Sequence, residues 1–113
     1  MPKAIWISYD FGLKGDYTGF YTWLDNHKAV ECGHGLAFLN YSDDSNSSPQ
    51  LLENLKTNLL KTVKLSESDR LYIIWKEYGK PIVKGQFING ARRQSPWEGY
   101  GKRSDSSIQD ISE

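Results

Sequence analysis

The stretch from Ser48 to Val63 limits what this chain can fold into more than any other. Ser48-Pro49 supplies a capping hydroxyl and then a proline suited to a first helical turn. Leu51, Leu52, Leu55, Leu59, Leu60 and Val63 follow at three- and four-residue spacing. That period predicts an amphipathic helix with a wide apolar stripe. Such a stripe needs a second layer to bury it.

Strand-like segments supply that layer. Ala4-Ile5-Trp6-Ile7-Ser8-Tyr9 is rich in β-branched and aromatic residues and reads as a buried strand. Leu36 to Tyr41 reads as a second, after a turn at Cys32-Gly33-His34-Gly35. Arg70 to Lys76 is apolar on both faces and therefore a central strand. Pro81 to Ile88 pairs with it as a hairpin, with Pro81 at the strand start and Gly85 marking a bulge. Between the first two strands, Asp16 caps a helix whose apolar face is Tyr17, Phe20, Tyr21 and Leu24, running to Lys28.

The resulting order is β-α-β-α-β-β. It predicts an α+β fold, a four-stranded mixed sheet with both helices on one face, ferredoxin-like or a close variant. One strand of the usual split βαβ pattern is missing or displaced in this reading. The alternative is a miniature doubly wound sheet with strand order 2-1-3-4. Residues 1–88 form the single domain, 89–103 an extended arm, and 104–113 a flexible acidic tail.

Composition removes several function classes. The 113 residues suit one domain, and a single cysteine rules out an internal disulfide framework. A formal net charge of zero argues against a globally basic nucleic-acid packer. The longest apolar run, Leu71 to Trp75, is too short to span a bilayer, and the N-terminal residues lack an apolar signal core. The expectation is a cytoplasmic domain with no membrane partner. Charge is nonetheless segmented. Residues 79–103 carry Lys80, Lys84, Arg92, Arg93, Lys102 and Arg103 against Glu98 alone, whereas residues 1–50 and 104–113 are net acidic.

Three constellations carry candidate chemistry. Asp10 stands at the carboxyl end of the first strand, where ligands of open α/β sheets collect. There a carboxylate, helped by Asp16, can hold Mg²⁺ or Mn²⁺ and activate water for phosphodiester cleavage. The plainer reading has Asp10 capping the turn at Phe11-Gly12 and Asp16 capping the helix. His27, Cys32 and His34 are zinc-ligand or thiol-chemistry types, but at a spacing no standard zinc motif uses. The plainer reading is a helix-end histidine, a small buried cysteine and a turn histidine.

The arm is the third constellation, with Arg92, Arg93, Trp97 and Tyr100 among glycines. Its aromatics can fold back on the sheet edge while the arginines meet the acidic N-terminal half. They can instead anchor a protein partner, a second copy included, or stack on unpaired bases with the arginines on phosphates.

The strand closing on Tyr9-Asp10, the amphipathic helix after it and the strand Asp69-Arg70-Leu71-Tyr72-Ile73-Ile74-Trp75 together resemble the small ferredoxin-fold nucleases of CRISPR adaptation and their VapD-like toxin relatives, over residues 4–88. The resemblance implies a ferredoxin-like fold, a dimer and Asp10 as the strand-end aspartate of a metal-dependent nuclease in a defence or toxin–antitoxin system. Read from the residues, the chain is a small non-catalytic interaction domain. It needs no cofactor, forms a homodimer, and uses Arg92, Arg93, Trp97 and Tyr100 as its contact surface. The nuclease is the alternative.

Overall fold

The computed structural model describes residues 2–77 and 79–101. The acidic tail expected at 104–113, with Lys102 and Arg103 of the arm, lies outside the described residues.

The elements run β1 (Pro2–Asp10), α1 (Tyr17–Asn26), β2 (Val30–Gly33), β3 (Leu36–Ser42), α2 (Ser48–Leu60), β4 (Arg70–Lys76) and β5 (Val83–Asn89). The fold is α+β, as expected, but the sheet has five strands in the order β2-β3-β1-β4-β5, not four. Every pairing is antiparallel, so the sheet is not mixed. The doubly wound order 2-1-3-4 is not the one adopted.

The additional strand is β2, in residues read as a turn. Val30 and Glu31 pair with Phe38 and Ala37, and a register shift follows before Gly33 meets Leu36. Only His34 and Gly35 remain as the turn, with Gly33 and Gly35 at φ +134° and +73°. This strand is the one missing from the split βαβ pattern. Without β5, the strand order and the chain order β-α-β-β-α-β are compatible with a ferredoxin-like variant, which β5 extends by one edge strand.

Both helices cover the same face of the sheet. Ile5 and Ile7 of β1, Leu39 and Tyr41 of β3, Leu71, Ile73 and Trp75 of β4 and Ile88 of β5 form one buried cluster with residues of α1 and α2. From α2 come Leu51, Leu52, Leu55 and Leu59, continued by Val63, as the stripe requires. Leu60 is exposed instead. The cap of α2 is Ser47, whose hydroxyl accepts the Gln50 N–H, one residue earlier than the sequence suggests. Ser48 Oγ accepts a 2.8 Å hydrogen bond from Trp75 Nε1, tying the start of α2 to β4.

The buried residues of α1 are Phe20 and Trp23, while Tyr17 and Tyr21 are exposed. The helix is therefore rotated from the face the aromatic spacing suggests. Burial of Phe20 and Trp23 accounts for this rotation, and Trp23 Nε1 donates to Asn58 Oδ1 at 2.8 Å, joining the two helices. The helix stops at Asn26, and Lys28, expected within it, adopts the left-handed region at φ 55°. Gly19 has a specific reason to lie in a helix. A Cβ there would sit 2.7 Å from the Thr62 carbonyl, so only glycine lets α1 approach the end of α2 this closely.

Strand β5 begins at Val83 rather than Pro81. Gly85 is not the bulge. The register shift lies between Leu71 and Tyr72, opposite Asn89 and Phe87, and leaves Ile88 as the extra residue. Gly85 instead provides room for the Tyr72 ring, which would lie 2.6 Å from a Cβ at this position.

A candidate binding face on the open side of the sheet

Strand alternation places Trp6, Phe38, Tyr72, Ile74 and Phe87 on the face away from the helices. Across the register, Trp6 opposes both Phe38 and Ile74, and Tyr72 opposes both Ser8 and Phe87. The Trp6 and Phe38 rings lie 4.9 Å apart, and the Tyr72 and Phe87 rings meet edge to face at 4.8 Å. These aromatics are half-buried or exposed, because among the described residues no helix lies on this side.

The arm reaches this face through its first arginine. Arg92 lies 5.6 Å from the ring centroids of both Tyr72 and Phe87, a cation–π arrangement. Arg93 is 4.0 Å from Asp10 Oδ2, and Arg70 donates to the same oxygen at 2.8 Å. Ser8, Asp10, Arg70, Tyr72, Phe87 and Arg92 line a concavity of about 210 Å³. Of the back-packing expected for the arm, the contact with the acidic N-terminal half is present at Arg93. Folding of the aromatics onto the sheet edge is not, since Trp97 and Tyr100 are 72% and 88% exposed.

Asp10 does not cap the turn after β1. The Gly12 N–H goes to Asp69 Oδ1 at 2.9 Å. Asp69 is buried, and its other oxygen accepts from the Ser66 N–H at 2.9 Å and the Ser66 hydroxyl at 3.1 Å. It is the structural acid of this corner. Asp69 immediately precedes the strand that begins at Arg70, and that position is the signal by which the sequence could have given it a role.

Asp16 caps α1, as expected. One oxygen accepts the Gly19 N–H at 2.9 Å, and the other accepts the Lys64 N–H at 2.9 Å. These backbone bonds, that from Lys64 foremost, hold its pKa below the ordinary carboxylate value. Neither aspartate suits Mg²⁺ or Mn²⁺. Arg70 occupies one oxygen of Asp10 and backbone N–H groups occupy both oxygens of Asp16. Among the described residues no group of three or more His, Cys, Asp or Glu side chains could hold a metal ion. The donor set therefore does not fit the cation that the nuclease resemblance implies.

The His27, Cys32 and His34 constellation does not assemble. His27 closes α1, with Nδ1 2.8 Å from the Trp23 carbonyl and its ring 4.1 Å from that of Trp23. Cys32 is exposed on β2 rather than buried. His34 lines a cleft of about 610 Å³ on the other side of Asp10, together with Tyr9, Tyr17, Tyr21 and Glu31. Burial, and after it the neighbouring Tyr21, pushes the Tyr9 phenol above its usual value, so it is a neutral hydrogen-bonding group there.

Comparison with known proteins adds no relative: no family model, no curated protein and no solved structure matches this chain. Its class is defined by its architecture alone: among the described residues, an α+β domain with two helices on one face of an antiparallel five-stranded sheet and an aromatic, arginine-edged surface on the other.

Proposed function

We propose that this chain is a small non-catalytic interaction domain, that its contact surface is the open sheet face with the arm along its edge, and that it works as a homodimer. The observation that carries the reading is the uncovered row Phe38, Trp6 and Ile74 beside the Tyr72–Phe87 pair. Contiguous apolar surface of this kind marks sites of association.

Trp97 is the anchor of the arm in self-association. It offers the largest apolar area of any side chain and an indole N–H that needs a partner when buried. Arg92 and Arg93, at an exposed rim, contribute orientation and encounter rate to such contacts. Sedimentation velocity over a range of concentrations tests this. Trp97→Ala weakens self-association more than Arg92→Ala with Arg93→Ala does. A wild-type chain that stays monomeric throughout refutes the homodimer.

The metal-dependent nuclease is the second reading. The ferredoxin-like strand pattern completed by β2 favours it, and the arginine-bound Asp10 counts against it.

A further inference from the structure

We propose that the open sheet face binds single-stranded nucleic acid, with bases stacked on the Trp6–Phe38 and Tyr72–Phe87 pairs and phosphates held by Arg70, Arg92 and Arg93. The inference rests on the interaction-domain reading above and names the ligand class of that face.

Ring geometry supplies the first argument. Trp6 and Tyr72 are diagonal neighbours on adjacent strands, since Trp6 pairs with Ile74 and Tyr72 with Ser8. Strand geometry sets diagonal neighbours about 7–8 Å apart. That is roughly twice the 3.4 Å rise of a stacked strand. An extended strand with separated bases therefore places one nucleotide on Trp6 and the next over the Tyr72–Phe87 pair, where it displaces the Arg92 guanidinium that now lies 5.6 Å from both ring centroids and frees it for the phosphate. Every base has a π-face, so such a platform accepts any sequence.

Charge supplies the second. On β1, β3, β4 and β5 the charged residues of this face are Asp10, Arg70 and Lys76, and the arm adds Arg92 and Arg93. The single acid is already bound to Arg70. Self-association anchored by Trp97 of the arm, which stands 72% exposed and off the sheet, leaves this basic patch outside the contact between copies. A polyanion neutralises it. The Arg70 guanidinium is one-quarter exposed, and that exposed part is what a phosphate can meet. The concavity beside it opens between Ser8, Tyr72, Phe87 and Arg92.

Shape supplies the third. A duplex stacks its base faces on one another, so the exposed Trp6 and the half-buried Phe38, Tyr72 and Phe87 rings find no base face to meet. An unpaired strand presents each base to them.

The test is fluorescence anisotropy with labelled mixed-sequence DNA and RNA strands of roughly 20 nucleotides, enough to cover a single-domain site. The same sequences are also presented as duplexes, at about 50 and 200 mM salt. The wild type binds single strands in preference to duplex, and binding weakens steeply with salt. Trp6→Ala lowers affinity roughly 5- to 150-fold, and Trp6→Phe restores most of it. Arg92→Ala with Arg93→Ala, at two exposed positions, reduces the slope of log affinity against log salt by about 1.4.

Absence of salt-sensitive binding overturns the proposal. So does preference for duplex, or indifference to both Trp6→Ala and the double arginine change. If no strand binds and Trp6→Ala abolishes self-association in the centrifuge, the face is a protein interface: the ligand assignment fails and the interaction-domain reading stands. If the wild type neither binds strands nor self-associates, both fail.

Discussion

Arg70 of β4 and Asp10 of β1 are direct partners across the sheet, and the guanidinium closes on the carboxylate at 2.8 Å. Register makes this pair. Every residue from Ile5 to Asp10 opposes one from Trp75 to Arg70, so the last residue of β1 necessarily faces the first of β4. A carboxylate that sequence alone offers to a metal ion is thereby offered first to an arginine.

Asp10→Asn tests what that carboxylate does. The ion pair is partly exposed, so its loss changes stability by less than about 1 kcal/mol. Binding of single-stranded nucleic acid increases, because the acid among Arg70, Arg92 and Arg93 is gone. No Mg²⁺- or Mn²⁺-dependent cleavage is expected from the wild type. Reproducible cation-dependent cleavage that Asp10→Asn abolishes would promote the nuclease over the interaction domain.

Leu55→Ala probes the contact between α2 and the sheet. Leu55 is fully buried in the cluster that includes Ile5, Ile7, Leu71 and Ile73. Its truncation costs about 2–5 kcal/mol, read as a shift in the urea midpoint at constant m. A variant melting with the wild type would mean that the leucine stripe packs elsewhere.

Asp16 links stability to acid. Its pKa is lowered in the folded chain by the Lys64 and Gly19 N–H bonds. A depressed carboxylate contributes stability that is present above its unfolded pKa and lost as pH falls through its folded one. The melting temperature therefore declines below the ordinary aspartate range near pH ~4. Asp16→Asn is less stable at neutral pH and shows a shallower acid limb. Parallel melts across that window, with parallel acid limbs for both proteins, would remove Asp16 from the cause.

Much of this architecture is legible in the sequence by itself, and its limits follow from what local pattern encodes. Period and capping chemistry are local, and they place α2 and its leucine stripe, the Asp16 cap, the strand Arg70–Lys76 and the common helix-covered face. The short strand Val30–Gly33 has no period long enough to read, and it exists because β3 offers it a free edge. The side of α1 that faces inward is decided by packing of Phe20 and Trp23 into the core, where Trp23 also bonds Asn58, and these contacts join residues far apart in sequence. The candidate site divides in the same way. Arginine and aromatic content mark the arm, but Trp6, Phe38, Tyr72 and Phe87 become a surface only when four strands enter one register. Composition determined that this chain has aromatics and arginines to offer. The pairing of β1 with β3 and β4, an outcome of long-range packing, decided that they share a face and that Asp10 meets Arg70 there.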